Sequence, residues 1–508
     1  MLFLIIFITK QYTKKFHLFC IKTSKLIFDI LLGSFGSNIN HNLVLNDNNT
    51  FLLSKRGSIL FENNLSKNFI FLIFSNISTI QKKSYGDGST TTMLLTYSFL
   101  KKTIKMSSKG FSLFEINRNY VILFNIINKL LNKIAFQIIG WKKSREYFIL
   151  STYSLLISKI CHNLSNRYAE LCVNASLNVY DYRKNTIKLN LIKIEGRFGD
   201  SIQDSFLIRG FLINHGFDNI WMPKKLNNII ITIVSGKLNP SSIHNVNVIE
   251  INNIDFFKKT QEIKKTFYNK IIVVLKKNRI NLLISQWGLE EDFKYLLLKN
   301  NIPVICWAES NNLELLSFTT KARIIANFFD INFNRVGFSK SIREIAFNDG
   351  TKILIFDNFF SPKCITIFLI CTKNFILLEN KILIKDALKN LSILIKHKSF
   401  LLSSGHSELI IIIMLYSLNS KYFSNSNDFL NCFIASLEII PISLLKLSNK
   451  LPTLTTKPFK KKSTNFFTKT YTQKITNIYI EPKTLRQSIY YLTFKTIFIL
   501  INTFSILY

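Results

Sequence analysis

Residues 86–92 read Gly-Asp-Gly-Ser-Thr-Thr-Thr and run directly into the apolar segment MLLTYSFL at residues 93–100. Glycine lets the backbone come close to a bulky anion, and a helix starting here would offer backbone N–H groups and the positive end of its dipole. The hydroxyls add donors, and a lone aspartate can hold Mg2+ against phosphate oxygens. The pattern therefore predicts a phosphate and metal loop that is not of the Walker type. An ordinary turn followed by a helix with a Ser/Thr cap would give the same sequence pattern.

Other segments of the chain accompany this loop. Residues 34–38 (SFGSN) and 54–60 (SKRGSIL) precede it, and residues 191–213 (LIKIEGRFGDSIQDSFLIRGFLI) follow it. Together with the loop, these segments resemble the chaperonin family, and residues 191–213 resemble the strand pair that opens the apical domain of group II chaperonins. Residues 284–307 (ISQWGLEEDFKYLLLKNNIPVICW) are similar to the epsilon branch of the eukaryotic cytosolic chaperonin.

Hydrophobic patterning independently predicts a helical, then α/β, then helical chain. A strand-like pair is predicted near residues 42–53 and one helical stretch over residues 147–179. Short apolar runs at 229–234, 281–284 and 304–306, with a helix at 290–300 between the last two, predict buried strands of an α/β unit. Long helices are expected to return after about residue 360.

The resemblance implies a discontinuous multidomain α/β fold. It consists of a mainly helical equatorial ATP-binding domain, a small intermediate domain and an α/β apical domain with a helical lid extension at residues 246–277. The implied boundaries are 1–145 and 399–508 for the equatorial domain, 146–193 and 361–398 for the intermediate domain, and 194–360 for the apical domain.

The resemblance also implies a site for ATP and Mg2+, with Asp87 as the metal ligand and, together with Asp386, as a catalytic carboxylate. Its implied nucleotide-binding residues are Gly36, Ser37, Gly86, Asp87, Gly88, Ser89, Thr90, Thr91, Ser404, Gly405 and Glu481. Glu481 precedes Pro482 just before the last predicted helix, as in the E-P pair of the family.

Asp386 lies in the predicted helix KILIKDALKNLSILI at residues 381–395. Its neighbours Ile384, Ala387 and Leu388 fall on one apolar stripe, and Asp386 falls on the opposite side, where it is free to face a cleft. From spacing alone, a solvated surface aspartate is the ordinary interpretation. The resemblance favours a catalytic role, because Asp386-Ala387-Leu388 matches the D-A-L of the family.

Several positions depart from the family pattern around the predicted nucleotide. Arg56 replaces an aspartate near the γ-phosphate, Ser37 replaces a proline, and Ser403 and Ser404 replace two glycines of a triplet. A cation next to a triphosphate favours binding of the anion but removes a group that could position water or metal. We therefore expect an intact nucleotide pocket with slow or absent hydrolysis.

Composition argues against some other classes of protein. The 66 Lys and Arg residues outnumber 30 Asp and Glu residues, but the lysines are scattered through every segment without a basic stripe, so no nucleic-acid partner is expected. The apolar start is too short to span a membrane, and the apolar tail at 489–508 contains Lys495 and is better explained as a packed terminal helix. No membrane partner is expected.

The seven cysteines include no C-x-x-C pair, and they are interpreted as reduced core thiols in a cytoplasmic compartment. The bias toward Phe, Ile, Asn and Lys is compatible with the residual cytosol of a reduced eukaryotic endosymbiont. The histidines show no zinc-ligand spacing.

Two functions follow from the resemblance. The first is an ATP-dependent folding chaperone subunit, whose implied partners are paralogous subunits in a hetero-oligomeric double ring and unfolded clients such as actin- and tubulin-like chains. The second is a structural subunit of the same ring that binds nucleotide without efficient hydrolysis, favoured by Arg56 and Ser403-Ser404. A membrane or nucleic-acid protein, supported only by charge and hydropathy, is a third class.

Overall fold

The computed structural model describes residues 2–36, 42–45, 51–54, 57–58, 68–138, 141–160, 162–199, 204–219, 221–238, 254–347, 350–357, 364–422, 427–447 and 479–503. Within these ranges the helices are α1 (Leu2–Gly33), α2 (Phe69–Tyr85), α3 (Ser89–Ser108), α4 (Leu113–Ile134), α5 (Trp141–Ile157), α6 (His162–Val179), α7 (Ile254–Lys277), α8 (Glu291–Lys299), α9 (Ser310–Thr320), α10 (Asn374–His397), α11 (His406–Tyr422), α12 (Asn427–Leu437), α13 (Ile439–Leu447) and α14 (Lys483–Asn502).

The strands form sheets of two, three and seven members. They are β1 (Asn42–Leu45), β2 (Phe51–Ser54), β3 (Phe136–Gln137), β4 (Tyr180–Asp181), β5 (Thr186–Ile187), β6 (Ile192–Phe198), β7 (Phe206–Ile208), β8 (Gly210–Ile213), β9 (Lys225–Val234), β10 (Leu282–Ser285), β11 (Val304–Ile305), β12 (Ile324–Ile325), β13 (Gly337–Ala346), β14 (Lys352–Asp357), β15 (Ile365–Cys371), β16 (Ser399–Leu402) and β17 (Ile480–Pro482). The predicted strand pair near residues 42–53 is the antiparallel hairpin β1–β2.

A helical body is built from the two ends of the chain. Helices α3 and α4 share one apolar core with α11, α12 and α14, so residues near 100 pack directly on residues near 430 and 490. At its centre the ring of Phe99 lies 5.0 Å from that of Phe433 and 5.4 Å from that of Phe494. This core therefore requires both chain ends to fold together.

Helix α4 shows why these sequences form amphipathic helices. Ser112 and Glu115 form a capping box at its start, and each side chain accepts a hydrogen bond from the other residue's backbone N–H. Ile116, Tyr120 and Leu123 then recur at helical spacing on the buried face.

A central α/β unit follows, around a sheet with the strand order β11-β10-β9-β13-β14-β8 and with β12 paired to β9. Strands β9 and β10 run parallel, whereas β13 runs antiparallel to β9. The predicted strands at 229–234, 281–284 and 304–306 and the helix at 290–300 correspond to β9, β10, β11 and α8. The core of this α/β unit includes the fully buried side chains of Ile231, Leu282 and Val304. Burial of the strands explains why their sequences are continuous apolar runs.

A connecting layer joins the helical body to the central unit. Strand β6 pairs in parallel with β15, and helices α5, α6 and α10 pack on this pair. One sequence prediction is wrong here, because the helical stretch at 147–179 is two helices separated by a turn at residues 158–160. Long helices do return after residue 360, starting with α10, but the strand β15, which was not predicted, precedes them. The break lies at Ser158 and Lys159, where the amides of Lys159 and Ile160 both donate to the carbonyl of Leu156, although the apolar spacing continues across the turn.

The terminal helix α14 packs in the helical body, where Leu485, Ile489 and Tyr490 are buried, as the sequence predicted. Of the helices in the described ranges, none combines the length and the apolar character needed to cross a bilayer. In the predicted lid segment, α7 covers residues 254–277, and residues 246–253 lie outside the described ranges. Five of the six described cysteines are buried, in agreement with their interpretation as core thiols, and Cys432 is half-buried.

The shared aromatic core yields a stability prediction. Phe99→Ala should lower the free energy of unfolding of the helical body by about 3–5 kcal/mol, because it opens a cavity between three buried rings. Phe114→Ala, at a side chain that is 76% exposed, should change it by less than about 0.5 kcal/mol. Urea unfolding followed by circular dichroism measures both, and equal losses would contradict a core shared by the two chain ends.

Candidate nucleotide-binding site

The loop at residues 86–92 connects α2 to α3 through two glycines in left-handed conformation. Gly86 ends α2 at φ +75° and Gly88 precedes α3 at φ +83°, where a side chain would be strained. Because Gly88 has no side chain with which to cap α3, the amides of Ser89, Thr90 and Thr91 in the first turn are available to an external acceptor. The glycine turn and the helix that begins at Ser89 agree with the sequence prediction, and binding of an anion at this helix start stays a prediction.

Asp87, between the two glycines, is paired with a lysine that sequence reasoning missed. The Nζ of Lys159 lies 3.1 Å from Oδ1 of Asp87, and the carboxylate side chain remains 38% exposed. Lys159 lies in the turn that separates α5 from α6. In sequence it is one of 66 basic residues and lies 72 positions from Asp87, so no local signal marks it.

Asp386 lies against the same loop. A Cβ atom built on Gly86 would lie 2.3 Å from the backbone oxygen of Asp386, so only glycine permits this approach. The Asp386 residue is 2% exposed. The surface interpretation of this aspartate is therefore wrong, and so is the expectation of one apolar face, because α10 is buried on both sides at this point. Spacing could not show this, because the second covering surface is a loop 300 residues away.

A segment earlier in the chain contacts the start of α3 at Gly57. A Cβ atom on Gly57 would lie 2.7 Å from Cγ2 of Thr90, which places this glycine directly against the phosphate loop. Gly36 has φ +99° and follows the end of α1. Two residues of the sequence analysis, Ser37 and Arg56, lie outside the described residues.

The remaining predicted nucleotide-binding residues, Ser404, Gly405 and Glu481, belong to two segments that a pair of strands brings together. In the antiparallel pairing of β16 with β17, Leu401 is opposite Glu481, and the amide of Ser403 donates to the carbonyl of Tyr479 at 2.9 Å. Ser404 is exposed with φ +60°, and Gly405 is buried with φ +83°. Ser404 therefore adopts the left-handed conformation that favours glycine, without being one.

Glu481 is part of a buried charge cluster. Arg486 donates to its two carboxylate oxygens, from Nε at 2.7 Å and from Nη2 at 2.9 Å, and Nη1 of the same guanidinium contacts the buried carboxylate of Glu408. Burial raises the pKa of Glu481 to about 7, because the attraction of Arg486 is partly offset by the repulsion of Glu408. Two carboxylates thus share one cation.

The comparisons with known proteins bear on this arrangement. Residues 27–464 match the TCP-1/cpn60 chaperonin family. The chain belongs to this family. It is similar to T-complex protein 1 subunit epsilon of Encephalitozoon cuniculi, with 25% identity over 423 residues that cover 83% of this chain and 79% of the relative. T-complex protein 1 subunit delta of Debaryomyces hansenii is 23% identical over 438 residues, with 84% and 81% covered.

A thermosome subunit of Pyrococcus horikoshii is a third relative of this chaperonin chain, 21% identical over 372 residues that cover 72% of the chain and 67% of the relative. The group II resemblance drawn from residues 34–60, 86–92 and 191–213 is confirmed by these matches. An epsilon subunit is among the relatives, as residues 284–307 indicated.

The residues present in this chaperonin chain fit a nucleoside triphosphate with Mg2+. The uncapped first turn of α3 supplies amide donors, and the hydroxyls of Ser89 and Thr90 lie half-buried beside them. Asp87 is a partly exposed carboxylate in the same loop, the type of oxygen ligand that Mg2+ prefers. Lys159 adds a cation that suits a polyphosphate.

The contact at Gly86 predicts that adding one methyl group at this position lowers the free energy of unfolding strongly. Gly86→Ala combines an unfavourable positive φ with a clash against the Asp386 backbone, so the loop and α10 must separate. Gly110→Ala is a matched control, because Gly110 also has a positive φ of +101° but nothing within 4 Å of its would-be Cβ. We expect Gly110→Ala to cost about 1–2 kcal/mol in a urea titration and Gly86→Ala clearly more. Equal losses would contradict the close approach.

The charge cluster predicts a pH dependence of stability. An acid whose pKa rises from 4.5 to about 7 on folding binds more protons when folded, so its contribution to stability falls as pH rises across that interval. Glu481→Gln should flatten this fall in thermal unfolding measured from pH 4.5 to 7.5. Glu314→Gln, at an exposed residue of α9, should leave the slope unchanged. An unchanged slope for Glu481→Gln would show that the carboxyl titrates normally.

Proposed function

We propose that this chain is an ATP-binding chaperone subunit of a hetero-oligomeric double-ring chaperonin that assists protein folding. The observation that carries the proposal is the contact between the phosphate loop and α10. The loop belongs to the helical body, whereas Asp386 belongs to the connecting layer, so one ligand at the loop would touch both parts of the molecule. Nucleotide binding can thereby be linked to movement of the layer.

The domain assignment is part of this proposal. The helical body would be the equatorial domain, residues 1–145 and 399–508. The connecting layer would be the intermediate domain, residues 146–193 and 361–398, and the central α/β unit the apical domain, residues 194–360. Support comes from the separate apolar cores of the three units. Helix α7 would belong to the lid.

Within the site, Asp87 would hold Mg2+, and the α3 amides with Ser89, Thr90 and Thr91 would hold phosphate oxygens. Ser404, Gly405 and Glu481 would line the nucleoside side, with Gly36 and Ser37 on the approach from α1. Bound Mg2+ would neutralise charge on the phosphates. Asp386 would accept a proton from, or orient, the attacking water, since it is the acidic residue of α10 whose backbone contacts the loop.

The positions that depart from the family pattern, Arg56 above all, favour slow hydrolysis. They also support a second candidate function, that of a nucleotide-binding subunit with a structural role. Lys159 is paired with Asp87, and Arg56 adds a second cation in the segment before Gly57. Such cations hold a triphosphate in place, and Arg56 stands where the family has a carboxylate that could position water or metal. Cytosolic clients such as actin- and tubulin-like chains and a cytoplasmic location are proposed on the resemblance alone.

Nucleotide binding tests the site directly. Asp87→Asn should weaken Mg2+-dependent ATP binding by roughly tenfold or more in calorimetry on the assembled particle, because it removes the carboxylate charge that the metal requires. Asp330→Asn, at an exposed aspartate paired with Arg335, is the matched control and should bind normally. Equal affinities for the two variants would contradict the assignment of Asp87.

Hydrolysis separates the two functions. In test particles, every other subunit carries Asn in place of the aspartate that corresponds to Asp386. We expect the single-turnover rate constant for labelled ATP, per intact site, to be much lower in these particles than in particles with intact partners. Turnover near that of the partners would contradict the expectation of slow hydrolysis and favour the full ATPase.

A further inference from the structure

A groove of about 560 Å3 lies in the connecting layer, between β6 and the outer face of α10. Ile192 and Ile194 line its strand side. Leu378 and Ile382 line its helix side, and they are 47% and 37% exposed. Asp386 is not among the residues that line the groove, so this surface is distinct from the candidate nucleotide site.

Three lysines run along the rim of this groove on α10. Lys381, Lys385 and Lys389 follow one another at four-residue spacing, which places them in one row about 12 Å long. Lys381 is paired with Glu195 of β6 at 3.3 Å. Among the described residues, Lys385 and Lys389 have no acidic group within ion-pair distance. The groove therefore joins an apolar floor to uncompensated positive charge.

We propose that this groove binds an acidic amphipathic helix from a partner polypeptide. Such a helix would place an apolar stripe on Leu378 and Ile382 and carboxylates at four-residue spacing opposite the lysine row. An amphipathic helix reads such a groove through residues spaced by three and four positions. Carboxylates opposite the lysines would speed association and fix the register of the helix.

Charge argues against an occupant from this chain itself. The chain carries a formal net charge of +36, so a second copy would approach with repulsion. The longest segment outside the described ranges, residues 448–478, contains seven lysines and no acidic residue. A basic segment of this kind does not complement a row of lysines, and an acidic partner does.

The test uses the full chain and a synthetic 18-residue helical peptide with Leu on one face and Glu at four-residue spacing on the next. Fluorescence anisotropy of the labelled peptide should show saturable binding that weakens with added salt. The double variant Lys385→Glu with Lys389→Glu should bind roughly tenfold or more weakly, since it replaces two attractions by repulsions. Lys129→Glu with Lys133→Glu, two exposed lysines at the same four-residue spacing on α4 of the helical body, should bind within about twofold of the unmodified chain.

Five outcomes would overturn the proposal. Three of them are equal binding by the double variant and the α4 control, equal binding of a peptide with Lys in place of Glu, and equal binding of a scrambled peptide with the same composition. Displacement of the peptide by a second copy of the chain, seen as dimers in sedimentation, or selective binding of oleate instead of the peptide would also overturn it. Leu378→Ser with Ile382→Ser should weaken peptide binding while preserving its salt dependence.

Discussion

The structure depends on one close backbone contact, between Gly86 of the phosphate loop and Asp386 of helix α10. The absence of a side chain at Gly86 allows the carbonyl oxygen of Asp386 to lie 2.3 Å from the position that a Cβ atom would take. The loop belongs to a body formed by both chain ends, and α10 belongs to the layer that leads to the central α/β unit. A site that lies at this contact joins two independently packed cores.

The two groups of charged residues near this contact differ in their exposure to solvent. At the glycine loop, Lys159 faces the partly exposed carboxylate of Asp87. At the strand pair β16–β17, Arg486 lies between the buried carboxylate of Glu408 and the largely buried carboxylate of Glu481, and burial raises the pKa of Glu481 to about 7. The first pair can be rearranged by a ligand at low cost, whereas the second cluster is fixed by burial and holds β17 and α14 in register with α11.

The sequence predicted the parts of this molecule that depend on local pattern. The glycines at 86 and 88 predicted the turn, and the apolar runs at 229–234 and 281–284 predicted buried strands. What it missed depends on distant contacts. Asp386 looked like a surface residue because the loop that covers it is 300 positions away, and Lys159 could not be distinguished from other lysines. The break between α5 and α6 was missed because the apolar pattern continues across it.

The central claim is that nucleotide at the phosphate loop acts on α10 through the contact at Gly86. Hydrogen–deuterium exchange of the assembled particle, with and without Mg2+ and ATP, measures this most directly. The account predicts slower exchange with nucleotide in residues 86–92 and also in residues 380–392 of α10. Protection confined to residues 86–92, with α10 unchanged, would contradict it.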